Sequence, residues 1–162
     1  MASKKGVLVT IIILAAITAA SFLFWIVPQE NQSTLVVSDY QNYLEGVKKI
    51  HEVLQESIET EFQNLIDGKI SPDEYITITE VTTSQVTAQI SEFITSKPSE
   101  EWQNSYISYM EALKKFNAYI IETKVAANML KVGQIDDETL QKIESLRLET
   151  QSLINKSDEL RP

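Results

Sequence analysis

Residues 71–96 read SPDEYITITEVTTSQVTAQISEFITS, and whether this stretch is helix or strand decides the fold. Its Thr, Ile and Val content and the Ile76/Ile78 alternation argue for a strand, because β-branched side chains suit a pleated surface. Two features argue the other way. Ser71, Pro72 and Glu74 supply a helix cap, a proline with preset φ at the first helical position, and the acidic member of a capping box. Tyr75, Ile78, Thr82, Val86, Ile90 and Phe93 then trace one face at three- and four-residue spacing, with no breaker before Pro98. A capped helix is the better reading, and it is expected to be the least stable one in the chain.

The flanking segments are helical with less ambiguity. From about Ser38 to Ile66, Tyr40, Leu44, Val47, Ile50, Leu54, Ile58, Phe62 and Leu65 form one apolar stripe. Ser38 and Gln41 fit a capping box at its start, and Asp67-Gly68 ends it. After Lys97-Pro98, Ser99 is placed to cap a third helix, with Glu100 and Glu101 favourable against its dipole. Trp102, Tyr106, Tyr109, Leu113, Phe116, Ile120, Lys124, Ala127 and Leu130 carry it in a near seven-residue repeat to Gly133. A fourth helix starts at Asp136, with Ile135 and Leu140 as a hydrophobic staple, and continues through Ile143, Leu146, Thr150, Leu153 and Leu160. Short loops joining helices of similar length predict an all-α, antiparallel four-helix-bundle-like domain over residues 38–162.

Ahead of that domain, Gly6 to Val27 is a run of 22 residues without a charge, about the length needed to cross a bilayer. Lys4 and Lys5 precede it and no Lys or Arg follows until Lys48. That asymmetry predicts a cytoplasmic N-terminus (1–5), a transmembrane helix (6–27), a stem (28–37) and the helical domain outside the cell membrane. Trp25 suits the interfacial belt and Pro28 the end of the helix. The rival is a signal peptide cut in TAAS, between Ala20 and Ser21. Cutting there would leave SFLFWIV as an apolar head on a secreted domain, so a retained single-pass anchor is the preferred reading. Ala15 and Ala19, and Ala16 and Ala20, lie four apart, a spacing that lets a second membrane helix approach; alanine is also simply common in such helices.

The opening KKGVLVTIIILAAITAASFLFWIVPQ, with a polar helical region after it, resembles small single-pass proteins of ammonia-oxidising archaea. That resemblance covers about the first 30 residues. It implies a cell-envelope location and an accessory role beside a membrane enzyme such as ammonia monooxygenase, and it brings no site residue.

Composition narrows the chemistry. Two of the 14 basic residues lie before the anchor, so the rest of the chain carries 12 against 23 acidic ones, a net charge of −11. A polyanion finds no basic stripe there, which excludes nucleic acid as an expected partner. The chain has no cysteine, which removes thiol catalysis, iron–sulfur clusters and cysteine zinc sites. Four glycines leave no phosphate-cradling loop.

His51 is the only histidine. Bundle di-iron sites use Glu-x-x-His pairs, but Lys48 stands three residues before His51, and a packed structural histidine is the expectation. No serine lies in a nucleophile elbow. The acidic groups Asp136–Glu138 and Glu100–Glu101 sit where helix starts want negative charge. No catalytic, cofactor or metal residue is therefore assigned. Tyr43, Tyr109 and Tyr119 lie at or off the edge of the apolar stripes and are the expected partner surface, since tyrosine is apolar at one end and wet at the other. Of two sequons, at Asn31 and Asn155, Asn155 is the better glycosylation candidate. These residues describe a non-enzymatic, membrane-anchored binding or accessory subunit with a protein partner, or with a second copy of itself. A ligand-sensing bundle signalling through a partner is the alternative.

Overall fold

The structure is a computed structural model and describes residues 39–162. The expected anchor, the stem, the TAAS site and Ala15, Ala16, Ala19 and Ala20 lie outside the described residues. Four helices make up the described chain: α1 Tyr40–Ile66, α2 Pro72–Thr95, α3 Glu100–Val132 and α4 Asp137–Glu159. Among the described residues no helix is long and apolar enough to cross a membrane.

The doubtful stretch is helix α2, and its hydroxyls show how a Thr-rich sequence stays helical. Thr79 Oγ1 donates to the Ile76 carbonyl at 2.7 Å, Thr82 to Ile78 at 2.9 Å and Ser84 to Glu80 at 2.9 Å. Each polar group is thus satisfied on its own helix. Ser71 Oγ accepts from the Glu74 amide while the Glu74 carboxylate accepts from the Ser71 amide, so the expected box is complete. At α1 the cap is Asp39, whose carboxylate accepts from the Asn42 amide at 3.0 Å. Ser99 occupies the cap position of α3 without a side-chain bond.

Successive helices run antiparallel, as long-range bonds at the two ends show. At one end Tyr106 donates to the Tyr40 carbonyl at 2.8 Å, and Ser105 donates to the Ser157 carbonyl at 2.7 Å. At the other, Tyr75 donates to Thr123 at 2.8 Å, and Lys131 pairs with Asp73. Helix α3 is the hub and packs against all three others. Its burial explains two departures from the sequence pattern. Besides the expected stripe, α3 buries Ser105, Ala112, Tyr119 and Ala126, seven residues apart, against α4. Helix α4 answers with Ile143, Thr150 and Ser157, also at sevens. Small residues let the backbones close until Ser105 and Ser157 exchange hydroxyl–carbonyl bonds in both directions. Leu140, expected in a staple, faces outward at 41% exposure because α4 meets α3 through Thr139 and Ile143 instead.

The core forms three successive clusters. Leu44, Val47, Phe93, Tyr106, Tyr109 and Leu113 fill the end where the chain enters α1. Ile58, Val86, Phe116, Tyr119, Ile120, Ala126 and Ile143 fill the middle, and Leu65, Tyr75 and Ala127 the far end.

Candidate interaction surface

Tyrosines at the stripe edges were the expected outward groups, and two of the three point inward. Tyr109 is 1% exposed and Tyr119 is 3% exposed. Both follow from the double burial of α3. A helix covered on two sides has almost no stripe edge, so a position off one apolar face falls on the next. Tyr43 is half-buried, its ring stacked 6.0 Å from Phe93 and 6.4 Å from Tyr106. Its hydroxyl lies inside without a protein partner, and burial, with Glu92 nearby, pushes its pKa up to about 12. Tyr109 and Tyr119 are thus buried in the core, and Tyr43 stacks on the aromatic rings at its edge.

An aromatic column runs from Trp102 through Tyr106, Phe93 and Tyr109 to His51 and Phe116, with neighbouring ring centroids 4.5 to 6.3 Å apart. His51 is the packed histidine the sequence suggested, 1% exposed. Its Nδ1 lies 2.9 Å from the Tyr109 hydroxyl, and its Nε2 meets no protein partner. Burial pulls its pKa down to about 4, so the ring is neutral at ordinary pH. A neutral, enclosed imidazole beside a tyrosine is a core element. Among the described residues no three carboxylates and histidines come together as a metal set.

Of the two acidic helix starts, the one at α4 caps its helix through Asp136, and no capping bond is made by Glu100 or Glu101 at α3. Asp136 accepts from the Thr139 amide at 2.7 Å, which holds its carboxyl below the usual range. Asn155 is exposed on α4, its side-chain oxygen accepting from Gln151. Over Phe116 and Tyr119, a shallow groove between α1 and α4 is lined by Gln55, Glu59, Arg147 and Thr150, and it holds no space for a water-sized sphere.

Apolar residues face outward on all four helices, among them Val53 on α1, Ile94 on α2 and Leu148 on α4 at 61%, 60% and 55% exposure, and α3 carries four of them on one side. Ile107, Ile121, Val125 and Val132 are 47%, 48%, 41% and 89% exposed. They lie on the side of the hub helix turned away from its buried face. Lysines flank them, each in an ion pair that ties α3 to a neighbour: Lys124 to Glu80, Lys131 to Asp73 and Lys115 to Glu149. Sequence reasoning passed over this face because the stronger aromatic stripe on the same helix accounted for its periodicity. Its signal was nonetheless present: a helix with apolar residues on every side has little amphipathic contrast. Compared with known proteins, the chain matches no protein-family model, no curated protein and no solved structure.

Proposed function

We propose that the chain is a non-enzymatic binding or accessory subunit, held at the cell membrane by residues 6–27 and using its helical domain to engage protein. The observation that carries the reading is a pairing of features. A charge-free run of membrane-spanning length, preceded by Lys4 and Lys5, stands ahead of a helical body whose hub helix presents Ile107, Ile121, Val125 and Val132 to the outside. The outer face of α3 replaces the tyrosines as the binding surface in this reading. The body is acidic, so a protein partner is favoured over nucleic acid.

The test starts with the full chain in its own membranes. Alkaline carbonate should leave it in the membrane pellet, and native mass spectrometry in mild detergent should find it at full length and bound to protein. Release by carbonate, or a chain shortened by about 20 residues, would remove the anchor. A full-length chain that is always solitary would remove the binding role.

A further inference from the structure

We propose that α1 is a releasable strap: it leaves α2, α3 and α4 as one unit, those three stay folded without it, and the aromatic face that it covers is laid open. The proposal uses the described residues alone and stands apart from the reading of residues 6–27 as an anchor. From end to end, α1 rests on rings. Tyr40 meets the ring of Tyr106 at 6.0 Å, and Tyr43 meets those of Phe93 and Tyr106 at 6.0 and 6.4 Å. His51 meets Phe116 and Tyr109 at 4.5 and 5.8 Å, and Phe62 meets Tyr75 at 5.7 Å. Rings on both sides bury area but hold the backbones apart, so α1 is the most thinly packed of the four helices. Helix α4, by contrast, closes on α3 over small side chains, Ser105, Ala112 and Ala126 against Thr150 and Ser157.

The polar groups divide the same way. Among the described residues, the buried side-chain atoms without a protein partner are Tyr43 Oη, His51 Nε2, Gln89 Nε2 and Oε1, Arg161 Nε and Asn117 Oδ1. Tyr43 and His51 are on α1, and Arg161 reaches α1 through Glu45. Gln89 stands on α2 one turn before Phe93, the ring that stacks on Tyr43, and Asn117 is on α3. Releasing α1 returns water to desolvated groups that bond to nothing inside, which lowers the cost of opening there. Between α2, α3 and α4 the long-range bonds are made without α1: Tyr75 with Thr123, Ser105 with Ser157, Lys124 with Glu80 and Lys142 with Glu122. Two hydrogen bonds join α1 to α3, from Tyr106 to the Tyr40 carbonyl and between Tyr109 and His51. Its clasp to the end of α4 is a pair of partly exposed ion pairs, Lys48 with Asp158 and Glu45 with Arg161, a class of contact that adds little. Leu44, Val47, Ile58 and Leu65 are buried on α1 and keep the closed form dominant, so release is a minor, sub-global state. Helix α1 is also the one joined directly to residues 1–38, so whatever binds or holds that segment acts on the strap first.

Native-state hydrogen exchange of the full chain in mild detergent, read helix by helix by mass spectrometry, tests the strap. The interior amides of α1 should exchange as one block, about tenfold or more faster than the most protected amides of α3 and α4. Arg161→Gln, which loosens the clasp, should speed that block about two- to fivefold and leave α3 and α4 unchanged. Because the chain has no cysteine, a Lys48→Cys/Asp158→Cys chain carries one pair of thiols, and bridging them with a short bismaleimide should slow the block to the rate of α3. Exchange of all four helices in a single step would overturn the strap. So would rates that grade smoothly inward from the two ends of α1, which is fraying, or a block that includes α2, which is the opening of a hairpin. Equal acceleration of every helix by Arg161→Gln, or unchanged exchange of α1 in the bridged chain, would overturn release of α1 as a unit.

Discussion

The hydroxyls of Tyr43 and Tyr109 are alike in chemistry and opposite in circumstance. Tyr109 meets His51 at 2.9 Å in the core, whereas the Tyr43 hydroxyl is enclosed without a protein partner. Removing one member of a buried pair strands the other, at about 1–3 kcal/mol. Tyr109→Phe should therefore lower stability by about that amount in chemical denaturation. Tyr43→Phe should be neutral or stabilising, because it deletes a desolvated group that bonds to nothing in the protein. His51 supplies a pH dependence of definite sign. Its folded pKa of about 4 lies below the ordinary 6.5, so the unfolded chain binds the proton more readily between those values. Its contribution is then full above about pH 6.5 and is lost as pH falls toward 4, by up to about 3 kcal/mol. Exposed capping carboxylates such as Asp136 act at lower pH, and His51→Leu separates the two. The variant should flatten the thermal midpoint between pH 6.5 and 4.5, and an unchanged slope would show that His51 is not its source. That His51 is packed was legible from its lack of partner ligands. The burial of Tyr119 was not, because the residues sharing its face are serine and alanine, which carry almost no hydropathic signal.

At the scale of the element, α3 shows why one periodicity can hide another. Its aromatic stripe, Tyr106 to Ile120, was plain in the sequence and forms the core against α1 and α2. The second stripe, Ser105, Ala112, Tyr119 and Ala126, works through what it lacks: side-chain bulk. Close helix approach gains dispersion over many atoms rather than from any one large group. Ala112 is fully buried on this seam, so Ala112→Leu should force α4 away and cost about 1–3 kcal/mol. Denaturant titration checks this, and a loss within error of zero would mean that α4 sits more loosely than the Ser105–Ser157 bonds imply. Helix α2 teaches the converse. Its β-branched content was a true signal of poor intrinsic helicity, overruled by a complete cap, by hydroxyls satisfied on its own carbonyls and by the burial of Tyr75, Val86 and Phe93. Caps were legible at α2 and α4, because they depend on residues a few positions apart; at α1 Asp39 caps where Ser38 was expected, and at α3 Ser99 holds the cap position without a side-chain bond. Which side of a helix meets which neighbour depends on partners far away in the chain.

For the whole molecule, the all-helical body and its element order were readable from stripes, caps and breakers. The outer apolar face of α3 was not, since the sequence offers no direct view of which apolar residues remain once the core has taken its share. Ile107, Ile121 and Val125 became visible only by subtraction. One consequence follows from the way α4 finishes. Lys48 pairs with Asp158 at 2.8 Å, and Arg161 pairs with Glu45 and Asp158. These contacts fasten the final turn to the beginning of α1. The bundle therefore has a polarity like that of a plug and its cable: the chain enters and finishes at one end, and only the turns at Gly68 and Gly133 mark the other. A reporter fused after Pro162 would read the cable end. A fluorophore at Gly68 would sit a full helix length away, about 40 Å for the 27 residues of α1, so the two together make a ruler for the orientation of the domain on whatever holds it.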